Sequence, residues 1–273
     1  MEAPRIPVSV IVPAYNAAST LPRALDSVVA QTVRPQEVII VDDSSSDATA
    51  DVAAQWCAAH PELSACVLRL SQNGGAGTAR NAGWAQATGE FIAFLDADDA
   101  WHPRKLSVQY GWMLRHPDVA LSGHRCGVIG ESSQAIEMRD DAEPPVTMRD
   151  LGDFLMANRI STPSVMVRRD VRPRFVEGKR YSEDYLLWME IVHAHGPAAI
   201  IQWPLATLFK ARYGEAGLSA DHRKMRLGEA DTFAHLRRQG IIPPLTWCLI
   251  AGLGWLKFCK RRVSHGVLAG KSR

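Results

Sequence analysis

The chain has 273 residues, 47% of them hydrophobic, which is enough apolar material for a large buried core and excludes disordered and fibrous classes. Its net charge of +2 hides a gradient, with 5 Lys and Arg against 12 Asp and Glu in residues 1–100, and 13 against 4 in residues 201–273. An acidic first third excludes a nucleic-acid binder, and five scattered cysteines without CxxC spacing exclude a zinc site or redox dithiol.

The first apolar run, Val8 to Val12, is of strand length and ends at Pro13, so a secretory leader is not expected and a cytoplasmic location is. Leu21, Leu25, Val28 and Val29 follow at helical spacing. A second strand is predicted over Glu37–Val41, a helix over Ala48–Ala59, and a third strand over Val67–Leu70. A helix from Thr78 to Ala87 is stopped by Gly89, and a fourth strand runs from Phe91 to Leu95. Short apolar strands alternating with helices predict an α/β fold with a mainly parallel, Rossmann-like central sheet covered on both faces.

Beyond Trp101 the pattern predicts a helix over Pro103–Arg115, a strand over Val119–Ser122 and a polar loop from Glu131 to Pro145. A patterned region at Met148–Asn158, an apolar strand at Ser164–Val167 and a helix from Glu183 to His193 follow. Gln239 to Leu256 contains no charged residue and is followed by Lys257, Lys260, Arg261 and Arg262.

Ligands of such sheets bind beyond the strand C-termini, which directs attention to Asn16, Asp42 and Asp43, Asn73 to Arg80, and Asp96 to Asp99. Carboxylates released from the end of the fourth strand suit a hard divalent cation that also binds substrate phosphates, while Asp99 could instead cap the next helix. Asp42, nearest its strand end, can accept hydrogen bonds from a base or ribose, whereas Ser46 or Asp47 suits a helix cap. Gly75 and Gly77 have the GxG spacing of a dinucleotide fingerprint, but Arg80 stands at the third glycine and the loop follows the third strand, not the first. The loop then offers backbone N–H groups and Arg80 to a base or diphosphate.

Together, Val8–Asn16, Val41–Asp47, Asn73–Gly83 and Phe94–Asp99 resemble family 2 of the inverting glycosyltransferases, enzymes of the GT-A fold. The resemblance implies that Pro13, Ala14, Tyr15 and Asn16 line a nucleotide-sugar site together with Asp43, Asn73 and Gly75. It further implies that Asp42 binds the base, Arg80 supports it, Asp96 lies near the ribose, and Asp98 binds Mg2+ or Mn2+. The catalytic base of the family is an aspartate in a Glu-Asp pair opening a helix, and Glu183-Asp184 is such a pair, with Asp184 as the base; Glu183 also suits a helix-dipole partner. Ser161-Thr162-Pro163-Ser164 sits where the family touches sugar or acceptor, and is equally a common hydroxyl-rich turn. Arg212 and Ser219 loosely match the family's closing loop, but Tyr213-Gly214 stand where its histidine is expected. His193 and His195 are assigned to the helix C-terminus rather than to a metal.

The expected reaction is transfer of a sugar from a nucleoside diphosphate donor, a UDP-sugar by preference, to a saccharide or lipid-linked acceptor hydroxyl. A nucleotidyltransferase would need a glycine- and basic-rich loop after the first strand, which Pro13 to Ala17 does not supply; a non-catalytic carbohydrate-binding relative is the other alternative. Residues 5–230 are assigned to the catalytic domain, 5–125 to its nucleotide-sugar half and 126–230 to its acceptor half. Residues 231–273 are assigned to an apolar helical appendage that touches the membrane through 241–262, the alternative being a helix packed back on the catalytic domain with a solvated basic tail.

Overall fold

The computed structural model describes residues 3–128, 143–209 and 221–249. Strand β1 (Arg5–Ala14) leads into α1 (Leu21–Val29), then β2 (Arg34–Asp42), α2 (Thr49–Ala59), β3 (Ala65–Arg69), α3 (Ala76–Gln86) and β4 (Phe91–Phe94). β1 pairs in parallel with β2 and β4, and β2 with β3. Val8, Val10, Ile11 and Val12 are all fully buried, because a central strand with helices above and below has no wet face.

The second half contributes β5 (Ala100–Trp101), α4 (Lys105–Arg115), β6 (Leu121–Val128), β7 (Val146–Arg149), α5 (Leu151–Met156), a 3-10 turn at Thr162–Ser164, β8 (Met166–Arg168), α6 (Glu183–His195), β9 (Ala198–Leu208) and α7 (His222–Arg238). The strand order is β3-β2-β1-β4-β8-β6-β9-β5, with β7 also on β9. Beyond β4 the sheet is mixed: β8 runs antiparallel between β4 and β6, while β6 and β9 are parallel. The expected α/β class is what forms, with parallel pairing concentrated in the first hundred residues.

Two cores flank the sheet. Helices α1, α2 and α4 cover one face through Leu25, Trp56 and Trp112. Helices α3, α5 and α6 cover the other through Trp84, Phe154 and Trp188. α7 joins the second core through Leu236, and Ile242 beyond it is 2% exposed. The division expected at residue 230 falls inside this helix, so packed structure runs past it.

Several expected bounds shift. The strand read at Val119–Ser122 begins at Leu121 and continues to Val128, because β9 pairs along its whole length. The strand read at Ser164–Val167 begins after the 3-10 turn that ends at Ser164. Asp99 does not cap α4; its carboxylate accepts from Phe209 N–H at 3.2 Å. The N-cap of α2 is Ala48, not Ser46 or Asp47, and Asp47, one residue before it, accepts from Thr49 N–H at 3.0 Å. The Arg212–Ser219 loop and the 250–273 tail, with Trp255 and its basic cluster, lie outside the described residues.

Candidate active site

The ends of β1, β2 and β4, the start of α3 and the start of α6 meet at one edge of the sheet. Pro13 and Ala14 are the buried last residues of β1, opposite Val41 and Asp42 of β2. Tyr15 is 52% exposed. Asn16 adopts a left-handed φ of 49°, and its Oδ1 accepts from Ser46 N–H at 2.9 Å, tying the β1 loop to the β2 loop. Ser44 (φ 60°) and Ser182 (φ 56°) share that conformation. Among the described residues all three left-handed non-glycine residues thus lie in the loops bordering this edge, a placement that costs roughly 1–2 kcal/mol each.

Asp42 and Asp43 differ sharply. Asp42 has no exposed surface; its Oδ1 accepts from Ser45 N–H at 3.1 Å, and Arg69 Nε lies 3.2 Å from Oδ2. Oδ2 nevertheless lacks a well-directed hydrogen bond, since the Arg69 contact has charge proximity without the angle. Asp43 accepts from Gly74 N–H and Gly75 N–H, each at 2.8 Å, and from Asn73 Nδ2 at 3.0 Å. It therefore clasps the 73–75 loop, and Asn73 Oδ1 in turn accepts from Arg180 at 2.9 Å. Gly75 is required by its φ of 85°. Gly77 allows a close approach: a Cβ there would lie 3.2 Å from Phe175 Cβ and 3.3 Å from Glu183 Cγ, tight contacts that would push on both side chains. The GxG spacing thus serves a turn and a tight helix contact.

That contact delivers Arg80 to the centre of the site. Its guanidinium donates to Asp96 Oδ1 at 2.7 Å and to Glu183 Oε1 at 3.3 Å, and only 5% of the side chain is exposed. Three segments far apart in sequence, α3, the turn after β4 and the start of α6, are joined by one cation. Arg80 is thus an internal tie between carboxylates.

Asp184 occupies the first turn of α6, its Oδ1 accepting from Tyr185 N–H at 2.7 Å and Oδ2 from Thr162 Oγ1 at 3.1 Å. Burial pushes both Glu183 and Asp184 above the usual carboxylate range. The neighbouring Asp184 raises Glu183 further, against the pull of Arg80, whereas Arg80 and the two hydrogen bonds restrain Asp184. Crowded acids of raised proton affinity around one cation are an arrangement able to take up a proton near neutral pH.

The turn after β4 is held from three sides: Arg80 on Asp96, Phe209 N–H on Asp99, and Arg23 Nη2 on the Asp98 carbonyl at 2.6 Å. Arg23 also stacks 3.6 Å over the Phe209 ring. Asp96 and Asp98 are both partly exposed. Among the described residues no three His, Cys, Asp or Glu side chains converge as a full cation cage. Asp96 is engaged by Arg80, while Asp98 is a partly exposed, hard carboxylate of the kind that fits a Mg2+ or Mn2+ ion drawing its other ligands from substrate phosphate and water. His193 and His195 are exposed in the last turn of α6, as expected of helix-end residues.

The glycosyl transferase family 2 model matches residues 9–172, a span that runs from within β1 to beyond β8 and includes the acidic turn. The chain belongs to glycosyltransferase family 2. Within the family it is 32% identical to the Escherichia coli UDP-Glc:alpha-D-GlcNAc-diphosphoundecaprenol beta-1,3-glucosyltransferase WfgD, over 71% of this chain and 72% of that one. Against several other curated relatives the match spans about half of their length. The fold is that of TarS residues 1–349 from S. aureus, solved with UDP-GlcNAc, at TM-score 0.65, 21% identity, and coverage of 84% of this chain and 66% of that one. It is likewise that of a Pyrobaculum calidifontis mannosyltransferase solved with GDP-Man and Mn2+, at TM-score 0.59 and 21% identity, covering 92% of this chain and 70% of that one.

Thr162, in the hydroxyl-rich turn, reaches Asp184 across 22 residues. Arg180 carried no motif at all, and its contact with Asn73 spans 107.

Proposed function

We propose that this protein is an inverting glycosyltransferase that moves a sugar from a nucleoside diphosphate donor to an acceptor hydroxyl. The observation that carries the reading is the cluster in which Arg80 binds Asp96 and Glu183 while Asp184, in the same first turn, accepts among the described residues from Thr162 and Tyr185 and from no cation. In this reading the acceptor oxygen attacks the anomeric carbon, its proton passes to Asp184, and the bond to the donor diphosphate breaks with its electron pair leaving on the phosphate. The loops of Pro13 to Asn16, Asp42–Asp43 and Asn73–Gly75 hold the nucleotide, with Arg80 keeping Asp96 in place beside the ribose. Asp98 holds a divalent cation, whose contribution when bound is to offset the charge that grows on the leaving diphosphate.

By likeness to WfgD, UDP-sugars are the preferred donors and a saccharide or lipid-linked molecule the acceptor; the reaction is proposed to serve synthesis of a cell-envelope or surface polysaccharide. The test is nucleoside diphosphate release across UDP-, GDP- and dTDP-sugars, with Mn2+, Mg2+ or EDTA. One donor class is expected to give metal-dependent release; full turnover in EDTA excludes the cation, and no release with any donor, with or without added saccharide acceptors, counts against the enzyme.

Membrane contact through 241–262 is part of the same proposal. Among the described residues no helix is long and apolar enough to span a bilayer. Leu245, Trp247 and Leu249 are nevertheless 72%, 38% and 61% exposed, and an interfacial apolar segment followed by the basic Lys257–Arg262 run suits an anionic membrane surface. The full chain is expected to sediment with vesicles containing phosphatidylglycerol at low salt, and a chain ending at residue 242 to remain in the supernatant. Equal behaviour of the two would remove the membrane role.

A further inference from the structure

The 161–165 turn, which carries Thr162, is held from beneath by three side chains spaced four residues apart. Trp101 Nε1 donates to the Pro163 carbonyl at 2.7 Å, Gln109 Nε2 to the Ser164 carbonyl at 2.9 Å, and Lys105 Nζ lies 3.5 Å from the Val165 carbonyl. Trp101 precedes α4, and Lys105 and Gln109 stand one turn apart on it, so that one face of this segment meets three successive carbonyls. Lys105 and Gln109 have no exposed surface, and Trp101 is 4% exposed. The Lys105 ammonium also sits 3.9 Å from the centre of the Trp101 ring.

Such a set is expensive as mere packing. Burial holds the Lys105 amine well below its ordinary value, and the adjacent His124 is pushed down to about 3 by its own burial and by Lys105. Among the described residues His124 Nε2 and Gln109 Oε1 have no hydrogen-bond partner. Apolar side chains would fill this layer with less desolvation. What the polar groups secure is the path of the turn above them, and the hydroxyl of that turn aimed at the rest of the site is Thr162.

We propose that Trp101, Lys105 and Gln109 are positioning residues for Asp184: by fixing three carbonyls of the 161–165 turn they hold the Thr162 hydroxyl on Asp184 Oδ2. The assignment rests on Asp184 being the base. Among the described residues the Asp184 carboxylate accepts otherwise from the adjacent Tyr185 N–H alone, so the Thr162 hydroxyl selects which way the second oxygen faces.

The test uses Thr162→Val, which is isosteric and removes only the hydroxyl, Thr162→Ser, which restores it, and Lys105→Met. Turnover is read as nucleoside diphosphate release with the donor that proves fastest in the panel above. Thr162→Val is expected to lower kcat about tenfold with donor Kd unchanged, and Thr162→Ser to recover most of the loss. Lys105→Met is expected to lower kcat while raising Tm, and to add no further loss in the Thr162→Val background, since both act through one contact. Crystal structures of the variants supply a readout independent of turnover: the 161–165 turn should shift in Lys105→Met, and the Asp184 carboxylate should rotate in Thr162→Val. Wild-type kcat in Thr162→Val, fully additive losses in the double variant, or an unmoved turn in Lys105→Met would each overturn the proposal. Full turnover by Asp184→Asn would instead remove the base reading, leaving the structures to decide the positioning.

Discussion

Replacing Asp184 by Asn is expected to lower kcat by about 10²–10⁴-fold, the range lost when a positioned general base is removed, while leaving donor affinity within about twofold. The substitution keeps the shape. An amide oxygen can still accept from Tyr185 N–H, and the amide nitrogen can donate to a rotated Thr162 hydroxyl, so both contacts at 2.7 and 3.1 Å have a counterpart. What it cannot do is accept the acceptor's proton. Because burial raises the Asp184 carboxyl, the acid limb of kcat/KM in the wild type should lie above the ordinary aspartate value of 3.8. Arg80, Asp96, Glu183 and Tyr185 all bear on that value, and Glu183→Gln should therefore move the limb without abolishing it. Calorimetry showing donor affinity lost in proportion to turnover would place Asp184 in the donor site instead.

Arg80→Leu is expected to be the most damaging single change for both stability and function. It strands Asp96 and Glu183, bound at 2.7 and 3.3 Å, with a third acid, Asp184, beside them. Breaking a buried ion pair from one side costs about 3–5 kcal/mol, or on the order of 10 °C in Tm for a chain of this size. The pH dependence has a definite sign. Glu183 is already raised from 4.5 to about 7 in the folded protein, so the folded state holds its proton more tightly than the unfolded one. Its favourable contribution is complete below about 4.5 and is lost as pH rises through about 7. Without Arg80 the carboxylates repel more strongly, so the Tm deficit of Arg80→Leu should be larger at pH 8 than at pH 5. A deficit that is small and flat with pH would show that Arg80 is not the tie between these segments. Arg80→Lys should recover little, because one ammonium cannot reproduce the forked contact to two acids.

The sheet's first half was legible because its signals are local. Val8–Val12, Val38–Val41 and Phe91–Leu95 are apolar runs too short for helices, and Leu21, Leu25 and Val28 fall on one helical face. β9 was not legible: Gln202 and Pro204 interrupt its apolar run, and it is a strand because β6, β7 and β5 pair with it. α7 carries a charged surface with only a narrow apolar stripe, and its place follows from Leu236 entering the α6 core.

The same division runs through the site. Sequence alone determined the family, the α/β order, and which loops carry the acids, since strand ends and helix starts are fixed by nearby residues. Whether an acid is open or engaged was decided only by tertiary structure. Asp42 and Asp43 are adjacent and chemically identical, yet one is covered beside Arg69 and the other clasps the 73–75 loop, because neighbouring strand-end residues point to opposite sides. Arg80 meets Glu183 across 103 residues and Thr162 meets Asp184 across 22, distances over which periodicity carries no information. Those pairings follow from sheet order and from the close approach of α3 to α6 at Gly77, which exist only once the two halves of the chain have packed together.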